Sequence, residues 1–72
     1  MIDYLTVRKA MSRFNREIRE ISNKRNELKI GIEGHLCEME RQTIYSLCMD
    51  HNLDYSCEFI YDETILTFKD RI

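Results

Sequence analysis

The sequence predicts an α+β fold: an antiparallel helical hairpin, long helix 1 and shorter helix 2, followed by a C-terminal two-stranded β-hairpin packed on the helices. Three observations predict it. Apolar residues recur three and four apart from Tyr4 to Leu28, the only two glycines sit close together at 31 and 34, and the apolar period changes to two after Leu53.

Helix 1 is expected over residues 3–30. Tyr4, Val7, Met11, Phe14, Ile18, Ile21, Arg25 and Leu28 form a heptad-like seam in which Arg25 is the one polar member. Asp3 suits an N-cap, and Ile2 with Val7 suits a hydrophobic staple around it. Glu20 and Lys24 stand in the favourable order for a helical ion pair. Gly31 then reads as a left-handed helix stop and Gly34 as the start of the next helix, with a tight turn at 31–34.

Helix 2 is expected over about 34–51. Leu36, Cys37, Ile44, Leu47 and Cys48 share a face with Glu40 and His51, while Met39, Tyr45 and Met49 flank it. Closing the two helices at the glycines brings the two charges on their apolar faces, Arg25 and Glu40, opposite one another. If instead one helix runs unbroken through residue 34, a coiled-coil dimer replaces the hairpin.

The β-hairpin is expected over about 54–69. Tyr55, Cys57, Phe59 and Tyr61 alternate with polar residues, and Thr64 to Lys69 are rich in β-branched and aromatic types. A two-residue turn at Asp62-Glu63, or a four-residue loop from Tyr61 to Thr64, sets Phe59 against Leu66 and Cys57 against Phe68. Tyr55, Cys57, Phe59, Leu66 and Phe68 then face the helices, and Phe59→Ala is expected to cost about 3–5 kcal/mol.

Seventy-two residues allow a single domain, 1–72. Such a chain buries only about 60% of its unfolded surface, so self-association is a natural source of further stability. No stretch is apolar enough for a membrane span, and Met1-Ile2-Asp3-Tyr4 does not begin a secretory leader. Three cysteines, an odd number, fit reduced thiols and a cytoplasmic location better than a disulfide scaffold. The charge is split: residues 1–30 carry a net +4 and residues 31–72 a net −6. Two such halves attract each other, within one chain or between two.

Catalytic chemistry is not expected. His35, Cys37, Cys48, His51 and Cys57 could be read as zinc ligands, but His-x-Cys and Cys-x-x-His are not the usual spacings and the cysteines fall at core positions. A nucleophilic Cys48–His51 pair would place its thiol on the core side, away from the electropositive setting that activates one. No glycine-rich phosphate loop occurs. The sequence thus predicts no catalytic residue, no cofactor and no metal.

The favoured expectation is a non-enzymatic protein–protein interaction module: an inhibitor, adaptor or regulator of a larger partner, acting as a homodimer and without membrane contact. Short length, absence of proline and richness in Ile, Asn, Lys, Tyr and Glu match accessory proteins of AT-rich phages and mobile elements in composition, which favours a host-directed role. Tyr4, Val7 and Met11 at the overhanging end of helix 1, and Tyr45 and Met49 on the flank of helix 2, are the candidate partner-binding residues, with the hairpin edge as a further surface suited to strand addition. The alternative is a nucleic-acid-binding regulator using Arg8, Lys9, Arg19 and Lys29 of the basic helix 1. Against it stand Glu17, Glu20 and Glu27 on the same helix, and the acidic remainder of the chain.

Overall fold

The computed structural model describes residues 3–71 and shows a four-stranded antiparallel sheet with two helices on one face. The element order is α1 (Tyr4–Ala10), a 3-10 turn (Ser12–Phe14), β1 (Ile18–Lys24), β2 (Glu27–Glu33), α2 (Glu38–Asp50), β3 (Leu53–Ile60) and β4 (Glu63–Asp70). The strands lie in the order β1-β2-β4-β3, so α2 carries the chain over β4 from β2 to the far edge.

The long helix 1 is therefore wrong beyond its first turns. Asp3 caps α1 as expected, its carboxylate accepting the Thr6 N–H at 2.8 Å. Ile2, the other half of the expected staple, lies outside the described residues. The helix stops at Met11, and Asn15 adopts a left-handed φ of 52°, which asparagine tolerates. Residues 18–33 are a β-hairpin instead of a helix continuing to a turn.

The reason lies in the alternation of Leu28, Ile30 and Ile32 with Lys29, Gly31 and Glu33. As a strand this segment pairs with β4, setting Leu28 against Phe68, Ile30 against Leu66 and Ile32 against Thr64. All six are buried, and with Val7, Met11, Ile44, Leu47 and Cys48 they build the core. Arg25, the polar member of the supposed seam, sits exposed in the β1–β2 turn, and Ile21 is the extra residue of a bulge.

Both glycines differ from expectation. Gly31 lies inside β2, where an added Cβ would meet the Glu63 carboxylate at 2.5 Å. Its bare backbone lets Arg19 of β1 reach across β2 to Glu63 of β4 with two hydrogen bonds, 2.7 and 2.6 Å. Gly34, at φ +77°, turns the chain out of β2, donating to Asp62 O and accepting from Thr64 Oγ1.

α2 is close to the predicted helix 2. Leu36, Ile44, Leu47 and Cys48 are buried, but Cys37 is the exposed N-cap and His51 the exposed C-cap. Glu40 is buried on the apolar face as expected, yet its partner is Arg16, not Arg25. Arg16 Nε donates to Glu40 Oε2 at 2.8 Å and Arg16 Nη1 to the Glu33 carbonyl at 2.8 Å. The other carboxylate oxygen accepts the Cys37 N–H at 2.8 Å, so one side chain closes both the helix start and the ion pair. Arg16–Glu40, Arg19–Glu63 and Glu27–Lys69 all join the basic and acidic halves of the chain.

The C-terminal hairpin forms with its predicted faces but a register moved by two. Ile60 pairs with Glu63, Phe59 with Thr64, Cys57 with Leu66 and Tyr55 with Phe68. The turn is Tyr61-Asp62, both with left-handed φ (51° and 62°), rather than Asp62-Glu63 or a longer loop. Leu66 and Phe68 are fully buried because β4 is central, whereas Tyr55 and Phe59 on edge strand β3 remain 42% exposed. The large cost expected for Phe59→Ala therefore belongs to Phe68.

Candidate interaction surface

Of the five predicted partner-binding residues, two reach a common surface. Val7 and Met11 are core residues, because α1 lays its apolar stripe on the sheet instead of overhanging a helical partner. Tyr4 is half-buried, and its hydroxyl donates to the Ile18 carbonyl at 3.0 Å. Tyr45 and Met49 are half exposed on α2, at a shallow groove of about 260 Å³ that Leu53, Tyr55 and Arg71 also line.

That groove belongs to a longer strip. Beyond Leu53 the residues of β3 are exposed, and Tyr55, Cys57 and Phe59, which share a face with the buried Thr64, Leu66 and Phe68, lie open on the helix side. Tyr55 leans on Phe68 with ring centroids 6.5 Å apart, and Phe59 stacks on the exposed His35 ring at 3.7 Å. Aromatic pairs of this kind fix the side chains of the strip without covering them.

The strip runs beside a strand edge that, among the described residues, pairs with no other strand. A two-residue hairpin closes on a hydrogen-bonded pair, here Ile60 and Glu63, so Glu58, Ser56 and Asp54 also bond inward to β4. The Arg71 N–H to Asn52 carbonyl bond, 3.1 Å, continues the same alternation beyond the strand. The N–H and C=O groups of Tyr55, Cys57 and Phe59 consequently point outward. The opposite edge of the sheet, β1, is blunted by the Ile21 bulge and by Arg19 and Lys24; β3 has no bulge, no proline and no basic residue.

The basic residues of the nucleic-acid alternative are not brought together. Arg8 and Lys9 are exposed on α1, on the helix side of the sheet. Arg19 and Lys29 pair with Gly31 and Thr67 on the opposite side, and Arg19 is held by Glu63. The hydrogen bonds between that guanidinium and carboxylate push the Arg19 pKa up and the Glu63 pKa down.

The thiols and imidazoles are likewise dispersed. Among the described residues, no three His, Cys, Asp or Glu side chains are grouped so as to hold a metal ion. Cys48 is buried and His51 exposed, and burial pushes the Cys48 thiol up to about 11. At pH 8 this leaves Cys48 about 100-fold less thiolate than an ordinary cysteine. In the native protein a disulfide reagent such as Ellman's is therefore expected to modify the exposed Cys37 and Cys57 promptly and Cys48 at least about 100-fold more slowly; equal rates at all three would contradict the core placement.

A cleft of about 460 Å³ at the other end of β4 is lined by Glu17, Arg19, Glu33, Tyr61, Asp62 and Glu63. The Arg19–Glu63 pair lies in it with its own charges satisfied, beside the exposed side chains of Glu17, Glu33, Tyr61 and Asp62. The exposed hairpin edge is a candidate already in the sequence, and the sheet order assigns it to β3; the Tyr61-Asp62 turn is not the one the sequence predicts. The turn had a signal in Asp62, a residue type that accepts positive φ; which hairpin strand is the free one had none, because strand order is not written locally.

No protein-family model, curated protein or solved structure matches this chain. Among the described residues, no helix is long and apolar enough to cross a membrane.

Proposed function

We propose that this protein is a non-enzymatic protein–protein interaction module that engages a partner through the α2–β3 flank. One observation carries the reading: Tyr45 and Met49 of α2 are exposed beside Tyr55 of β3, a strand that also exposes Phe59 and whose outer hydrogen-bonding groups pair with no described strand. Main-chain bonds at such an edge supply affinity, and the adjoining apolar side chains supply selectivity. The same chemistry suits an inhibitor, adaptor or regulator in the cytoplasm, of the kind phages and mobile elements direct at host proteins.

The test is affinity capture from the native host with the parent chain and with a Tyr45→Asp, Met49→Asp double variant, each compared by mass spectrometry. Both positions are half exposed, so the variant is expected to fold and to lose at least about tenfold of the captured partner, the effect of one or two displaced interface anchors. Partner recovery unchanged by the double variant would remove this surface from the account. Binding of the parent to random DNA or RNA at low salt, lost when Arg8, Lys9, Arg19 and Lys29 become Gln, would replace it with the nucleic-acid reading.

A further inference from the structure

We infer that the occupant of the β3 edge is β3 of a second copy of this chain, paired antiparallel about a two-fold axis that passes beside Cys57. The inference rests on the reading of the α2–β3 flank as a docking surface: the β3 edge takes the second copy, and Tyr45 and Met49 of each α2 stay open to the partner protein.

Symmetry and charge together select the register. Two antiparallel edge strands related by a two-fold axis perpendicular to the sheet keep their helices on the same side. Residues facing one another must then come from the same face, so Tyr55, Cys57 and Phe59 meet only residues of that set or Leu53. Setting Ser56 against its own copy places Asp54 against Glu58 at both ends. Setting Glu58 against its own copy places two carboxylates face to face. Like charges directly opposite destabilise a ladder. Setting Tyr55 or Phe59 against its own copy avoids this but pairs only residues 53–57 or 58–60 of the strand.

Centring on Cys57 is the remaining arrangement, and it pairs residues 54–60. Tyr55 meets Phe59 of the second copy on the helix side, twice by symmetry, and Ser56 meets Glu58 on the open side, a hydroxyl opposite a carboxylate. The outward N–H and C=O groups of Tyr55, Cys57 and Phe59 are the ones this register joins, so the pairs that form are hydrogen-bonded pairs. The result is a continuous sheet across both copies, with the exposed Tyr45 and Met49 of each α2 lining the space above the junction.

Sedimentation equilibrium over about 1–200 μM, the range in which edge-paired complexes of modest affinity dissociate, reads the association. The parent is expected to move from the 8.8 kDa chain mass toward twice that value. Cys57→Pro removes an outward donor without touching the bonds to β4, and should weaken association by at least about tenfold with the circular dichroism unchanged. Tyr55→Lys, which charges the edge, serves where the proline variant does not fold. Ser56→Lys sets an ammonium opposite Glu58 and is expected to tighten the dimer severalfold; in the register centred on Ser56 it would weaken it. Diamide should cross-link a Cys37→Ser variant through Cys57 and leave a Cys57→Ser variant uncross-linked. A parent that stays monomeric throughout, or a dimer indifferent to Cys57→Pro and Tyr55→Lys, overturns self-pairing. Neither result removes the docking surface, which fails only if partner capture is unchanged by the Tyr45, Met49 variant. Weakening by Ser56→Lys overturns the register.

Discussion

Phe68→Ala is expected to remove a large share of the protein's stability at 25 °C. Phe68 is fully buried at the centre of the sheet, between Leu28 of β2 and Tyr55 of β3. Removing a buried phenyl ring costs about 3–5 kcal/mol, through lost transfer energy and the cavity left behind. A chain of 72 residues has a total stability of roughly 4–11 kcal/mol. Phe59→Ala, at a half-exposed edge position, should cost about 1–2 kcal/mol, the loss of partial burial and one ring contact. Urea melts of the two variants beside the parent give the comparison. Similar midpoints for both would mean that β4 is not the central strand.

Glu40→Ala is expected to cost about 2–4 kcal/mol, since it strips the helix start and orphans the Arg16 guanidinium, itself only 29% exposed. Glu40→Gln should cost less, because an amide oxygen still accepts the Cys37 N–H. The carboxylate also makes stability depend on acid. Burial alone would raise its pKa, but the Cys37 backbone and side chain and the Arg16 charge outweigh burial and hold it below the ordinary 4.5. The folded carboxyl binds its proton less readily than the unfolded one. This contribution is therefore present in full above pH 4.5 and is lost as pH falls through the depressed folded value. Asp3, held down by its bonds to Thr6, and Glu63, held down by its bonds to Arg19, act in the same direction. Midpoints measured between pH 3 and pH 7 should fall steeply below about pH 4.5 in the parent and less steeply in Glu40→Gln; parallel profiles would contradict the role given to Glu40.

How much of this was legible depended on whether the signal was local. α2 was, since Ile44, Leu47 and Cys48 repeat at a helical period and no alternative period fits them. The faces of β3 and β4 were, since alternation fixes parity whatever the turn. The register was not, because the turn places a tyrosine in a left-handed conformation where Asn or Gly is the usual guide. Residues 18–33 were misread because Ile18, Ile21 and Leu28 satisfy helical spacing, while Leu28, Ile30 and Ile32 satisfy strand spacing. The edge of β4, distant in sequence, decides between them. Glu40 was legible as a charge on an apolar face, but its partner depends on where the chain leaves α1. Likewise Tyr45 and Met49 could be placed off the core from α2 alone, whereas the burial of Val7 and Met11 follows from a sheet the local pattern did not announce.

The functional account stands on β2 occupying one side of β4, which leaves β3 as the free edge. Proton NMR tests this directly. Ile30–Leu66 and Leu28–Phe68 face each other as hydrogen-bonded pairs, so Lys29–Thr67 and Gly31–Ile65 between them are the close pairs, with Cα atoms about 4.5 Å apart. Strong Hα–Hα nuclear Overhauser effects from Lys29 to Thr67 and from Gly31 to Ile65 are the expected result. Their absence, with helical contacts between residues three apart running through 18–30, would contradict the sheet and the surface built on it.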